Sequence, residues 1–330
     1  MSPASTAQAV EVLARWREPF GAGVEGIGAP VVVACSGGAD SVALLVLAVD
    51  AELHPVAVHV DHALRDGSER EADGVAAFAA RLGAEFRGAR APVERGPNLE
   101  ARARDVRYDA LERARSAVGA RTVLVGHTAD DQAETVLLNV LRGAAASGLA
   151  GMAPRHGRIV RPLLSFRRAD TQSLCAALGF DVFIDPMNDD RSFRRVAIRH
   201  DVLPILSDLA ARDLVPVLAR QADILRSESD YLDELAVSAW PDADPPHARV
   251  LAGLPMPLAR RAVRQWLGAP PPSADEVERV LAVAAGTTRA TELAGGRVVR
   301  RSAGLLTFSE GDAAEPCPEG GTAKRNRPFE

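Results

Sequence analysis

The sequence predicts an α/β protein with a doubly wound parallel sheet, followed by a smaller, mainly helical C-terminal region that ends in a β-meander. Two runs of apolar, largely β-branched residues, Val31–Cys35 and Thr122–Gly126, are typical of strands buried on both faces. Helical segments alternate with such runs, which favours a parallel sheet with crossover helices. After Leu203-Pro204 only helical periodicity continues, as far as Ala239.

The strands and helices follow one another along the chain. Apolar runs predict strands at Val31–Cys35, His54–Val60, Glu85–Arg87, Thr122–Gly126, Ile159–Val160 and Val182–Ile184. Helical periodicity predicts helices at Asp40–Val49, Ser68–Leu82, Asn98–Val118, Asp130–Leu141, Phe166–Leu178, Leu206–Ala239, Pro257–Leu267 and Ala274–Ala285. The meander is predicted over 291–308, with a turn at Gly295-Gly296. The segment GAAASGLAGMAPRHGR, at 143–158, is rich in small residues, and we expect a mobile loop across the ligand edge.

Length and composition indicate two folded regions. The 330 residues are 47% hydrophobic and 25% charged, as in globular proteins. We expect a catalytic domain over 1–204, a helical domain over 205–311 and a disordered tail over 312–330, where polar residues, Pro and Gly are frequent.

Charge and cysteine content narrow the class of protein. The net charge of −5 excludes a general polyanion binder, so contacts with nucleic acid must come from local basic patches. The three cysteines form no CxxC pair, which argues against a structural zinc, an iron–sulfur cluster or a disulfide framework. The sequence shows neither a signal peptide nor a membrane-spanning run, so we expect a cytoplasmic protein without a membrane partner.

The stretch SGGADS follows the first strand directly. In a parallel sheet, ligands bind beyond the carboxyl ends of the strands. Two glycines allow backbone N–H groups to crowd around an anion, and the next helix begins there. The predicted nucleotide-binding residues are Ser36, Gly37, Gly38, Ala39, Asp40 and Ser41. Asp40 would repel a bare phosphate, so it either holds Mg²⁺ or only caps the helix; an ordinary capped turn is the alternative for the whole stretch.

The stretch HVDHALR, from His59 to Arg65, brings two histidines to the same predicted edge. His59 and His62 lie at the end of the second strand, with Asp61 between them and Arg65 close behind. A single histidine here could be an ordinary loop residue. The combination favours a binding site, and we include His59 and His62 among the nucleotide-binding residues.

The stretch GHTADDQAET places acids at the start of a helix. Asp131 and Glu134 are three residues apart and share a helix face, and His127 lies just before the predicted N-cap at Thr128. Acids in a first turn also complement the helix dipole, which is the alternative explanation. With Asp130 they form a cluster that suits Mg²⁺ or a substrate ammonium group.

Arginines stand out in two further segments. Arg107, next to Tyr108 on a charge-rich helix, is the residue of that helix best suited to bind phosphate, although a solvated helix face is the alternative. The stretch DPMNDDRSFRRVAIRH is locally basic, which favours contacts with RNA phosphates over a plain surface helix. The predicted tRNA-contacting residues are Arg191, Arg194, Arg195 and Arg199.

These motifs in this order resemble the tRNA(Ile)-lysidine synthetases. SGGADS alone resembles the pyrophosphate-binding loop of the ATP pyrophosphatase (PP-loop) superfamily, whose fold is adenine nucleotide alpha hydrolase-like. VDHALR, GHTADDQAET, RG…GLAGM, RPLL and DPMNDD…IRHDVLP extend the resemblance over about 31–204. The chain differs in having Arg195-Val196 where a typical member has Arg-Asn, and it is short for the family.

The resemblance implies a two-step reaction with ATP and Mg²⁺. ATP would adenylate the C2 oxygen of the wobble cytidine in tRNA(Ile) with the anticodon CAU, and free lysine would then displace AMP to form lysidine. It implies diphosphate binding by SGGADS, magnesium placement by Asp40, charge stabilisation by Arg107 and His127, and lysine binding by Asp131 and Glu134. These five residues are the predicted catalytic residues. The family also leads us to expect a homodimer.

Two other function classes stay open on sequence alone. One is a different PP-loop enzyme, either a tRNA thiolase or an amidotransferase. A cluster-dependent thiolase would require paired cysteines and an amidotransferase a glutaminase domain, and the sequence shows neither. The other is a non-catalytic nucleotide-binding module, which would leave the acidic cluster and the arginine-rich stretch without a purpose.

Overall fold

The structure, a computed structural model, describes residues 3–63, 69–94, 96, 99–183, 189–240 and 245–309. The tail predicted at 312–330 lies outside these residues, as do Arg65 and Ile184. The chain divides into two compact units, Met1–Arg226 and Ser227–Glu330. Every helix in the described part of the chain is too short or too polar to cross a bilayer.

The first unit is built around a six-stranded sheet in the order β3-β2-β1-β4-β6-β5. The strands are β1 (Val31–Ala34), β2 (Pro55–Asp61), β3 (Glu85–Arg90), β4 (Thr122–Leu124), β5 (Arg155–His156) and β6 (Ile159–Val160). All pairs are parallel except β5 with β6. Strand order reverses between β1 and β4, which creates the switch point where ligands bind in such sheets.

Helices cover both faces of this sheet. They are α1 (Pro3–Gly23), α2 (Ala39–Asp50), α3 (Glu69–Leu82), α4 (Leu99–Ala117), α5 (Ala129–Leu141), α6 (Ala146–Leu149), α7 (Arg168–Ala177), α8 (Arg194–Ala197) and α9 (Leu203–Leu209). Val31 and Val33 pack in the core on the α2 and α7 face, whereas Val32 packs with Leu111 of α4 on the other. Because successive side chains of a strand alternate, an unbroken apolar run requires such two-sided cover.

The first unit extends beyond the predicted domain boundary. A π-helical turn at Ile198–Val202 joins α8 to α9, and α10 (Val215–Ala239) begins in the first unit. Val215 and Leu218 pack against α5, which places the residues just after 204 in this unit.

Three sequence predictions differ from the structure. The helical segment predicted over Leu206–Ala239 is interrupted at 210–214, between α9 and α10. A strand at Val182–Ile184 is wrong for the two described residues, since Val182 and Phe183 are irregular. The edge beyond β6 is occupied by β5, and Phe183 instead donates its N–H to the Gly37 carbonyl at 2.9 Å.

The small-residue segment 143–158 also differs from the expected loop across the ligand edge. It contains α6 and β5, and none of its residues lines the cavity at the carboxyl ends of β1, β2 and β4 that is described below. Gln132 donates to the Met152 carbonyl at 3.0 Å and accepts the Met152 N–H at 2.7 Å. Asn139 donates to the Gly148 carbonyl at 2.7 Å, so two amide side chains of α5 hold the segment in place.

The second unit carries its own core. Its elements after α10 are α11 (Ala248–Gly253), α12 (Met256–Leu267), α13 (Ala274–Ala285), β7 (Ala290–Glu292), β8 (Val298–Ser302) and β9 (Leu305–Ser309). The strands form the predicted antiparallel meander, and Leu251, Val280 and Val299 are fully buried between helices and sheet. The predicted fold class is therefore confirmed for both regions.

Candidate active site

The loop after β1 is closed by the hydroxyl of Ser41. Its Oγ accepts the N–H groups of Ser36 and Gly37 at 3.1 and 3.2 Å and donates to the Gly38 carbonyl at 2.9 Å. Gly37 has a φ of +88°, a conformation that glycine adopts without strain. Ser41 therefore fixes the shape of the loop from inside, while the first N–H groups of α2, at Ala39 and Asp40, have no intrahelical acceptor and remain available for an anion.

The two predicted histidines lie at the end of β2 and line the same cavity as the loop. His59 is buried, and its Nδ1 lies 3.1 Å from the Cys35 carbonyl, an acceptor to which an Nδ1–H group can donate. The Nδ1 of His62 lies 3.3 Å from the Ala91 carbonyl. Burial lowers the pKa of His62; the hydrogen bond with Ala91 opposes this effect, and the positive charge of Arg107 adds to it.

His127 and Arg107 also line this cavity. Burial lowers the pKa of His127 to about 3, and nearby arginines add to this effect while Asp131 opposes it. Its Nδ1 is buried and has no hydrogen-bond partner among the described residues. His127 is thus a neutral imidazole that can offer a hydrogen bond, whereas the exposed Arg107 supplies positive charge.

Arg168, the first residue of α7, joins three of the site's carboxylates. Its Nη2 donates to Asp131 Oδ1 at 2.8 Å, its Nε lies 3.5 Å from Asp40 Oδ2, and its Nη1 lies 3.6 Å from Glu134 Oε1. Thr171, one turn later, donates to Asp40 Oδ1 at 2.5 Å. Burial raises the pKa of Asp40, and the charge of Arg168 opposes that effect. Sequence reasoning missed Arg168 and Thr171; the only signal was a helix start at the ligand edge.

Glu134 lies behind the other site residues. It is fully buried and absent from the cavity wall, and its Oε1 accepts the Nε of Arg199 at 2.7 Å. Its Oε2 is buried without a partner among the described residues, and burial raises its pKa. Asp131, in contrast, lines the cavity, with its Oδ2 held by the Thr128 N–H at 2.8 Å.

Asp130, the third acid of the predicted cluster, is directed elsewhere. Its carboxylate pairs with Arg167 at 3.1 Å and accepts the backbone N–H of Arg168 at 2.8 Å. Arg167 also pairs with Asp213, and neither Asp130 nor Arg167 lines the cavity. Arg167, just before α7, and Arg168, its first residue, thus have different partners.

The four arginines predicted to contact tRNA have different surroundings in the structure, and only Arg199 of the four lines the cavity. Arg199 lines the cavity, with its side chain 25% exposed. Arg194 is exposed at the start of α8, Arg195 is half-buried, and the exposed Arg191 forms an ion pair with Asp201. None of these three lines the cavity, so a role in tRNA binding stays a prediction for each.

The site as a whole is a cavity of about 850 Å³ at the carboxyl ends of β1, β2 and β4. It is lined by the loop with Asp40 and by Asp131, Arg168 and Arg199. These last three residues and Glu134 form the acid–arginine cluster. No group of three or more His, Cys, Asp or Glu side chains suited to a metal occurs among the described residues. Mg²⁺ commonly binds through one or two carboxylates and substrate phosphates, and Asp40 beside the loop fits that pattern.

Comparison with known proteins gives a family for each unit. The PP-loop domain family matches residues 24–206, and the TilS substrate binding domain family matches residues 247–307. A tRNA(Ile)-lysidine synthase from Nocardia farcinica is 46% identical over 241 residues, which cover 72% of this chain and 75% of the relative. The enzyme of that name from Salinispora arenicola is 39% identical over 312 residues, or 88% of this chain and 92% of the relative.

A solved structure supports the fold. The U34-tRNA thiolase NcsA from Methanococcus maripaludis, with its [4Fe-4S] cluster, matches with a TM-score of 0.53 and 18% identity, covering 67% of this chain and 80% of that one. That similarity concerns the fold alone. The family resemblance predicted from the motifs is confirmed by the sequence matches: this chain belongs to the tRNA(Ile)-lysidine synthase family.

Proposed function

We propose that this chain is an ATP-dependent ligase that joins free lysine to C2 of the wobble cytidine in tRNA(Ile) with the anticodon CAU. The observation that carries the proposal is that one cavity holds both a diphosphate-type loop and an acid–arginine cluster. Asp131 on the same wall as the loop supports a second substrate with an ammonium group beside the nucleotide.

In the first step, the cytidine O2 attacks the α-phosphorus of ATP and diphosphate leaves. The donors for the departing diphosphate are the N–H groups at the start of α2 and the hydroxyl of Ser36. Arg107 stabilises the negative charge that develops, and neutral His127 contributes a hydrogen bond. The wobble base has to be unstacked to enter the cavity, as a single-stranded anticodon loop permits.

Asp40 is the residue that would hold Mg²⁺. Its carboxylate lies beside the loop and contacts Thr171 and Arg168. When bound, the ion would neutralise charge on the leaving diphosphate.

In the second step, the ε-amine of lysine attacks C2, the C2–O bond breaks and AMP leaves. An ammonium group is not a nucleophile, so the amine first loses a proton. Asp131 is our candidate acceptor because, of the two acids in the prediction, it is the one on the cavity wall.

Further parts of the proposal concern the tRNA and the assembly. We assign tRNA contacts to Arg191, Arg194 and Arg195 and to the unit that matches the substrate binding domain. We also propose a cytoplasmic location, because the reaction uses tRNA and ATP. The homodimer has no support in the contacts of a single chain and stays a prediction, to be tested by light scattering.

Incorporation of labelled lysine into an unmodified CAU-anticodon tRNA(Ile) transcript tests the function. Label should enter the tRNA only when ATP and Mg²⁺ are present, with release of one diphosphate per lysine. Diphosphate without label would retain the PP-loop chemistry and reject lysine as substrate. Failure of both would favour a nucleotide-binding module.

A further inference from the structure

One side chain on the cavity wall contacts both the loop and an acid of α5. Arg168 is the first residue of α7, and its side chain is 21% exposed and lines the cavity. Its Nε lies 3.5 Å from Oδ2 of Asp40 in the loop, and its Nη2 donates to Asp131 Oδ1 at 2.8 Å. Because a guanidinium group is planar and rigid, these contacts fix where the two carboxylates lie relative to each other.

The backbone that carries Arg168 is itself held in place. The carboxylate of Asp170 accepts the backbone N–H of Arg167 at 2.8 Å, which caps the first turn of α7. Further along the helix, Leu174 and Cys175 are buried in the core that also contains α2. The guanidinium group of Arg168 therefore extends from a fixed base.

Removing this cation would leave like charges close to one another. Asp40 and Asp131 approach the same guanidinium group, and Glu134 Oε1 lies 3.6 Å from its Nη1. Carboxylates that share a partly buried cation repel one another once it is removed, and each then turns toward other partners or toward solvent. The positions of Asp40 and Asp131 therefore both depend on Arg168.

We propose that Arg168 is a positioning residue for both chemical steps. It holds Asp40 in place for the adenylation of the cytidine, and it holds Asp131 in place for the attack of lysine. The inference rests on the proposed function, since both steps belong to it, and it goes further by making them depend on one side chain of α7. Substitution of either acid removes a group of one step, whereas substitution of Arg168 disturbs both.

Three residues at the start of α7 provide a matched set of variants. Arg168 contacts acids of both regions. Thr171 donates to Asp40 Oδ1 at 2.5 Å, and among the described residues its hydroxyl has no contact with Asp131. Arg167 pairs with two acids that do not line the cavity. The set therefore disturbs both acids, one acid or neither.

The two steps are measured one after the other in single-turnover reactions. Each variant is mixed with saturating ATP, Mg²⁺ and unmodified CAU-anticodon tRNA(Ile), and diphosphate release in the absence of lysine gives the rate of the first step. Labelled lysine is then added, and its incorporation into the tRNA gives the rate of the second step. The KM for ATP and thermal unfolding are measured for every variant.

The variants should give three different patterns. Arg168→Met should slow both steps by about tenfold or more, because each acid loses a charged contact. Thr171→Val should slow the first step alone. Arg167→Met should leave both steps at the wild-type rate.

Free guanidinium ion distinguishes positioning from a general loss of structure. In Arg168→Ala, guanidinium chloride at concentrations far below those that unfold the protein should restore part of the rate of both steps, because the free ion can bind between the two carboxylates. The same addition should leave Thr171→Val unchanged. Arg168→Lys keeps the charge but not the planar fork, so it should recover only part of each rate.

Other results would overturn the inference. A loss confined to one step in Arg168→Met would assign Arg168 to a single region. A raised KM for ATP with normal rates at saturation would make Arg168 a nucleotide ligand instead. Slow steps that accompany a loss of thermal stability and do not respond to guanidinium would leave it a structural role only. Absence of both diphosphate release and lysine incorporation in the wild-type protein would instead reject the proposed function.

Discussion

The loop at 36–41 and the acid–arginine cluster lie in one cavity but are built in different ways. The loop is closed by contacts within six consecutive residues, with Ser41 bonding the N–H groups of Ser36 and Gly37. The cluster draws on α5, α7 and the turn after α8. Arg168 contacts its two acids, Asp131 and Glu134, and also Asp40 of the loop, more than 120 residues earlier in the chain. A local motif fixes its own geometry, whereas the cluster exists only once the sheet has assembled.

We assign the two regions to separate chemical steps, and the following predictions test that assignment. The loop should control diphosphate release, and the cluster should control the use of lysine. Residues outside the cavity should affect neither step directly.

The largest effect is expected for Asp40→Ala at the end of the loop. This substitution removes the proposed magnesium ligand and the acceptor of Thr171, so diphosphate release should fall by about 100-fold or more. A diphosphate assay with saturating tRNA and lysine measures it. Near-normal turnover would contradict the assignment of Asp40.

Asp131→Ala should raise the KM for lysine by about tenfold while changing the KM for ATP much less. Asp131 lines the cavity and forms a charged hydrogen bond with Arg168 at 2.8 Å. Steady-state kinetics with each substrate varied in turn provides the comparison. Equal changes in both constants would remove the distinction between loop and cluster.

Replacing Arg194 and Arg195 together by alanine should weaken tRNA binding and reduce its dependence on salt. Each lost phosphate contact lowers the slope of log affinity against log salt by about 0.7 to 0.9. Filter binding at several salt concentrations measures the slope. If the variant and the wild type bind tRNA with the same affinity at low salt and again at high salt, these residues do not belong to the tRNA interface.

The smallest effect concerns His127, which lines the same cavity. Its pKa is about 3 in the folded protein, against an ordinary value of 6.5, because of burial. As the pH falls below 6.5, the unfolded chain binds the proton first, so stability decreases between about 6.5 and 3. His127→Asn should lessen this loss. Urea unfolding at pH 7.5 and 5.0 checks it, and an unchanged pH dependence would show that His127 titrates normally.

The sequence predicted the strands and the loop because each is encoded in a short run of consecutive residues. Val31–Ala34 and Thr122–Leu124 form strands buried on both sides, as their apolar runs required. The predicted strand at Val182 failed because pairing depends on which edge of the sheet is free, and sequence does not show that β5 occupies it.

Local sequence patterns could not show that Arg168 and Arg199 line the site. Arg168 is one of two adjacent arginines at a helix start, and nothing nearby separates it from Arg167. Their partners, Asp131 and Asp130 respectively, are also adjacent, so the assignment requires the packing of α7 against the rest of the unit. Arg199 was grouped with surface arginines for the same reason, although Glu134, 65 residues earlier, holds it at the cavity.

The central claim is that the loop serves the first step and the cluster the second. ATP labelled at the α-phosphate tests it most directly, because the label stays on the tRNA after adenylation and leaves when lysine attacks. We expect Asp40→Ala to form no labelled tRNA, and Asp131→Ala to form it at a normal rate but release it slowly after lysine is added. Loss of labelling in both variants, or rapid release in Asp131→Ala, would contradict the division of labour between the two regions.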